Sequence, residues 1–131
     1  MPKSILNIIS YHNNHLFVIG DNPLIHEFSL SGNLIDKINT SMEIAYDMDF
    51  DKDGALYISG GETIKKINPD LTEQILINQN KIYRGISITD TGRILVADRS
   101  SNNSILYSGI SGSTIDIFNF PGVDRVFFRG T

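Results

Sequence analysis

The chain has 131 residues, no cysteine and a formal net charge of −4, with 40% hydrophobic and 20% charged residues. That length is enough for one domain with a real core, and the absence of cysteine excludes disulfides and thiolate metal sites. A mildly acidic chain whose longest basic run is Lys65-Lys66 offers no surface for nucleic acid or anionic membranes.

The apolar residues lean on Ile and Val, which favours strands. The N-terminal apolar stretch Ile5–Ile9 is too short for a signal-peptide core or a membrane span, so a soluble, by default cytoplasmic, chain is expected. The first strand is expected near 4–10, followed by strands near 15–20, 23–30 and 33–39, with Ser31-Gly32-Asn33 as the last turn. The next group is sharper. Residues 44–50 alternate Ile44, Tyr46, Met48 and Phe50 against Ala45, Asp47 and Asp49, the period of a half-buried strand. Asp51-Lys52-Asp53-Gly54 reads as a hairpin turn, with glycine where positive φ is needed. Strands follow at 55–60, 63–68 and 73–78, separated by turns at Gly60-Gly61-Glu62 and Pro69-Asp70. A third group falls near 82–88, 93–98, 104–110 and 113–119, with turns at Thr89–Gly92 and Ser111-Gly112-Ser113.

These groups are copies of one unit. His15-Leu16-Phe17-Val18-Ile19, Ala55-Leu56-Tyr57-Ile58-Ser59 and Arg93-Ile94-Leu95-Val96-Ala97 occupy the same place in each, spaced by 40 and then 38 residues. Self-similarity at that period, with four strands per copy, predicts β-propeller blades. The expectation is therefore an all-β partial propeller forming a single domain over 1–131. Its antiparallel four-stranded blades would span about 4–39, 44–78 and 82–119. One extra C-terminal strand at 122–128 would repeat the opening strand of a blade.

The third copy carries a family resemblance. Arg84-Gly85-Ile86-Ser87-Ile88, Asp90-Thr91-Gly92-Arg93-Ile94-Leu95-Val96-Ala97-Asp98 and Asn102-Asn103-Ser104-Ile105 resemble the NHL-type propeller repeat, and more loosely the gluconolactonase-like six-bladed propellers. The second copy keeps Asp53-Gly54-Ala55-Leu56-Tyr57-Ile58, and the first only Leu16–Asp21. The resemblance implies a scaffold. In its gluconolactonase-like form it also implies a channel cation held by a Glu, an Asn and an Asp; here Asn7 and Asp47 are available, with Glu43 just before an inner strand.

Propellers close with roughly 4 to 8 blades, so three need completing by another chain. Two copies forming a six-bladed homodimer is the first expectation; a piece of a longer propeller, or pairing with a different subunit, are the alternatives.

Three constellations carry candidate chemistry. Polar residues at the channel mouth, Asn7, Asp47, Arg84, Asp98, Arg99 and Arg125, are the expected ligand contacts. Asp49, Asp51 and Asp53, followed by Gly54, match the first half of a calcium loop, although Gly60 stands where its bidentate Glu belongs. The hairpin-turn reading competes with calcium there, and no cofactor is otherwise expected. His12, His15 and His26 read as exposed loop histidines. With no nucleophile elbow, phosphate loop or paired-carboxylate motif, the expected function is a non-enzymatic binding module for a protein, peptide or glycan. A divalent-metal lactonase or hydrolase, or a structural role, stands as alternative.

Overall fold

The computed structural model describes residues 8–19, 24–42, 44–101 and 103–119, with side-chain surroundings from Tyr11 onward apart from Asn80. Every element among them is a strand: β1 Ile8–His12, β2 His15–Ile19, β3 Leu24–Ser29, β4 Leu34–Asn39, β5 Asp47–Phe50, β6 Leu56–Ile67, β7 Glu73–Ile88, β8 Arg93–Asp98, β9 Asn103–Ser108 and β10 Thr114–Asn119. The extra strand expected at 122–128 lies outside the described residues.

The first repeat is a separate four-stranded antiparallel sheet in the order β1-β2-β3-β4. Its opening hairpin pairs His12 directly with His15, leaving only Asn13 and Asn14 in the loop. Both have positive φ, 52° and 64°, the backbone that a two-residue turn between right-twisted strands requires and that asparagine tolerates.

The second and third repeats share one six-stranded sheet, ordered β10-β9-β8-β7-β6-β5. Four strands expected separately here are joined in two continuous pairs. β6 holds the second and third strands of the second repeat. The Lys66 ammonium lies 5.3 Å from the centre of the Tyr57 ring, whereas nine residues of straight strand would span about 30 Å. The strand therefore doubles back at Gly60-Gly61, where Gly61 has φ of 64°. A Cβ on Gly60 would fall 2.3 Å from the Ile44 carbonyl oxygen, so the tip fits only without a side chain. β7 serves two repeats in succession: Glu73–Asn78 pairs with β6, and Tyr83–Ile88 pairs with β8.

Four of the other reversals repeat one device. Backbone bonds close Ser29 on Asn33, Asp51 on Ala55, Asn68 on Thr72 and Thr89 on Arg93. The third loop residue is Gly32, Gly54, Leu71 or Gly92, always with φ between 72° and 91°. A short loop ending in a left-handed residue is the commonest alternative to the two-residue hairpin, and the sequence supplies glycine at three of the four places.

Two cores hold the blades together, one at each seam. Phe17, Ile19 and Ile25 of the first blade pack on Met48, Leu56, Ile58 and Ile67 of the second. On the other side of the second blade, Ala55, Tyr57, Ile64 and Ile77 pack on Tyr83, Ile86, Ile94, Val96, Ile105 and Tyr107. Alternation along β6 thus sends Leu56 and Ile58 to one neighbour and Tyr57 to the other. The second blade is apolar on both faces because it is sandwiched. At the second seam the buried Tyr83 and Tyr107 hydroxyls meet at 2.7 Å and satisfy each other.

Candidate functional site

The channel-mouth residues expected from the sequence take up three different tasks. Asp47 is buried in the seam between the second and third blades, where its Oδ2 accepts the Ile86 amide at 3.1 Å. Asp49 does the same one step along, its Oδ2 accepting the Ile88 amide at 2.8 Å. The polar face of β5, which alternation alone would send to solvent, therefore caps the exposed edge of the next blade's inner strand. Asp98 is fully buried. Its carboxylate receives the Ile82 and Ser100 amides and the Ser100 and Ser101 hydroxyls. Burial alone would push its pKa up, but those four donors outweigh it and hold the group below the usual carboxylate range. Arg84 lays its guanidinium 4.3 Å from the centre of the Tyr46 ring, joining the inner strands of two blades. Arg99 is exposed on the turn after β8, its amide bonded to the Ile82 carbonyl. Asn7 and Arg125 lie outside the described residues.

The aspartate triad does not converge. Asp49 is turned to Ile88, while Asp51 accepts the Asp53 and Ala55 amides and the Tyr57 hydroxyl. No group of three or more His, Asp or Glu residues among those described is arranged to hold a metal ion. Asp51 is thus the organiser of its own hairpin, and burial, followed by the Asp51 carboxylate, pushes the Tyr57 phenol strongly upward in pKa.

A concave site forms elsewhere, at the hairpin end of the seam between the first and second blades. This cleft of about 460 Å³ is lined by His12, His15, Glu27, Asp36 and Asp53, with Phe17, Phe50, Leu56 and Ile67 among the apolar residues. The tight β1–β2 turn creates it. Because His12 and His15 are direct cross-strand partners, both rings project from one face of the hairpin. His12 stacks on Phe50 with 4.5 Å between ring centres. His15 donates from Nδ1 to Glu27 Oε2 at 2.6 Å, which fixes its ring in the cleft wall. Gly54 completes the wall; a Cβ there would stand 3.4 Å from His12 Nε2. The sequence alone presents both histidines as exposed loop residues, whereas they stand at the facing ends of β1 and β2. The signal that identifies them is their position on either side of a two-residue turn, which makes them neighbours in space.

No protein-family model matches the chain, and no curated protein matches it in sequence. Solved structures do match. A selenomethionine form of virginiamycin B lyase from Staphylococcus aureus superposes with a TM-score of 0.67 at 15% identity, covering 88% of this chain and 41% of that one. A protein of unknown function from Bacteroides caccae gives 0.69 at 14%, covering 91% and 48%. A catalytically inactive histidine-to-alanine form of the staphylococcal lyase, with Quinupristin, gives 0.69 at 15%, covering 93% and 48%. The fold is that of a β-propeller. At such identities the likeness concerns the fold alone, and it does not single out the NHL or gluconolactonase-like branch. The chain spans less than half the length of these structures: it is a three-bladed arc of a propeller.

Proposed function

We propose that this propeller arc is a binding module whose ligand seat is the cleft between the first and second blades. The observation that supports it is the lining: histidines and carboxylates rim an aromatic and aliphatic floor, the mixture by which small sites orient a ligand. The arc is completed by a second copy to a six-bladed ring. Phe17, Ile19 and Ile25 turn toward the second blade, so Leu16, Val18 and Phe28 form the opposite, outward face of the first blade. At the other end, Leu95, Leu106 and Phe118 line an apolar hollow on the third blade. The two faces are suited to meet in a head-to-tail pair. Light scattering tests this part, with twice the 14.6 kDa chain mass expected; a monomer at micromolar concentration overturns it and leaves a piece of a longer propeller.

A second reading has one observation in its favour. A carboxylate bonded to one nitrogen of a histidine in a cleft wall is the arrangement that orients a general base, and His15 with Glu27 has that contact. A fragment screen followed by NMR, using the His12 and His15 ring protons as reporters, separates the two. A binding module returns its ligand unchanged. Conversion of the ligand at a rate abolished by His15→Ala establishes acid–base chemistry instead, and bound metal in the active protein would restore the lactonase alternative.

A further inference from the structure

We infer that the cleft between the first and second blades takes an aliphatic cation, a primary ammonium or guanidinium carried on an apolar stem. The inference rests on the binding-module reading and adds the chemistry of the ligand.

Three carboxylates, Glu27, Asp36 and Asp53, line the cleft, and among the described residues no lysine or arginine does. His15 can neutralise part of one of them, through its bond to Glu27; the balance stays negative. The acids do not close into a metal-binding group among the described residues. Spread around a rim, they suit a group that distributes several N–H donors, as an ammonium or guanidinium does. Below them the floor of Phe17, Phe50, Leu56 and Ile67 offers apolar contact for a stem.

This charge is not a by-product of the repeat. The corresponding cleft between the second and third blades, of about 380 Å³, is lined by Lys52, Lys66 and Arg93 alongside Asp51 and Asp53. Among the described residues, the same architectural position therefore carries cations at one seam and none at the other. The rim of the first cleft has a further peculiarity. Leu71 lines it and is exposed, yet it occupies a left-handed position, φ 72°, that glycine fills in the three related turns. A leucine there adds an exposed apolar side chain to the cleft wall, in line with a stem that reaches outward.

Titration with hexylammonium, hexanol and hexanoate, read by isothermal calorimetry and by the His12 and His15 ring signals, tests the assignment. Hexylammonium is expected to bind at least about tenfold more tightly than hexanol, and hexanoate more weakly than either. The pair of exposed-rim substitutions Asp36→Asn and Asp53→Asn should weaken hexylammonium about tenfold, the scale of one or two screened charge contacts. Raising the salt should weaken it too. Arg93→Gln, in the second cleft, should leave it unchanged. Acetyl-Leu-Lys-Leu-amide run beside hexylammonium identifies the source: tighter peptide binding points to a protein segment, tighter amine binding to a small molecule, and both uphold the cation. Equal affinity for hexanol, or no loss in the Asn pair with an unchanged urea midpoint, overturns the cation but keeps the cleft as a site. Silence of all three probes at both histidines overturns the site as well.

Discussion

Asp47 Oδ2 accepts the Ile86 amide at 3.1 Å across a seam, joining residues 39 apart in the chain. The two belong to the inner strands of consecutive blades. Inner strands have a sheet neighbour on one side only, so their outer N–H groups need another acceptor once the blades are packed. Asp47 and Asp49 supply it to Ile86 and Ile88. Asp47→Ala is expected to cost about 2–3 kcal/mol, because it strands a buried amide that had a charged partner. Asp47→Asn, which retains an acceptor, should cost about 1 kcal/mol. Urea unfolding checks this, with the midpoint lowered and the slope unchanged.

Leu71 should respond in the opposite sense. Held at φ 72°, it pays the left-handed penalty of about 1 kcal/mol that glycine avoids. Leu71→Gly is expected to raise the urea midpoint by an amount worth about 0.5–1 kcal/mol, and Gly92→Ala in the equivalent turn to lower it similarly. If the cleft binds as inferred, Leu71→Gly should also weaken the ligand, so stability and affinity would move apart.

Acid should loosen the turn after β8. The pKa of Asp98 is depressed in the folded chain, so its contribution is present above the unfolded carboxylate value, about 3.9, and is lost as pH falls through the folded one. A stability profile from pH 6 downward should fall more steeply in the wild type than in Asp98→Asn. Chemical denaturation at each pH measures the difference.

Alkali acts on three tyrosines. Burial first, then the neighbouring Asp51 for Tyr57 and the mutual hydroxyl contact and Asp98 for Tyr83, raise their pKa well beyond the ordinary range. Tyr107 is raised by burial too, against a lowering from Tyr83. The stabilisation is therefore complete below the unfolded phenol value of about 10 and is lost as pH rises above it. Absorbance at 295 nm should show these groups ionising together with unfolding. Tyr107→Phe should cost about 1 kcal/mol at neutral pH by removing the hydroxyl pair.

Much of the architecture was legible because it is periodic. The 2-residue alternation of Ile44–Phe50, the glycines at 32, 54 and 92 and the 40-residue spacing each have one structural cause, and the blades follow from them. The two faces of β5 show where legibility stops. Alternation separates Met48 and Phe50 from Asp47 and Asp49, yet it cannot tell a solvated polar face from one that caps a neighbouring blade, since that depends on the partner strand. Asp98 meets the same limit: an acid at a strand end reads alike whether it faces a ligand or accepts donors from its own turn, as Asp98 does from Ile82, Ser100 and Ser101. The cleft was missed because it belongs to no single repeat. His12 and Glu27 come from the first blade and Asp53 from the second, and only the seam assembles them.

The two junctions between blades are built differently, and that sets where the chain is open to attack. β7 runs as one strand from the second blade into the third, pairing first with β6 and then with β8, whereas the described residues between β4 and β5 contain no strand. That stretch is held by the Lys65 ammonium on the Thr40 carbonyl at 2.6 Å and by the close approach of Gly60 to Ile44. A protease should therefore nick the first junction before the second, releasing the opening repeat from a resistant two-blade remnant. Any recombinant exchange of repeats has its natural splice point there too, and not within the strand that the last two blades hold in common.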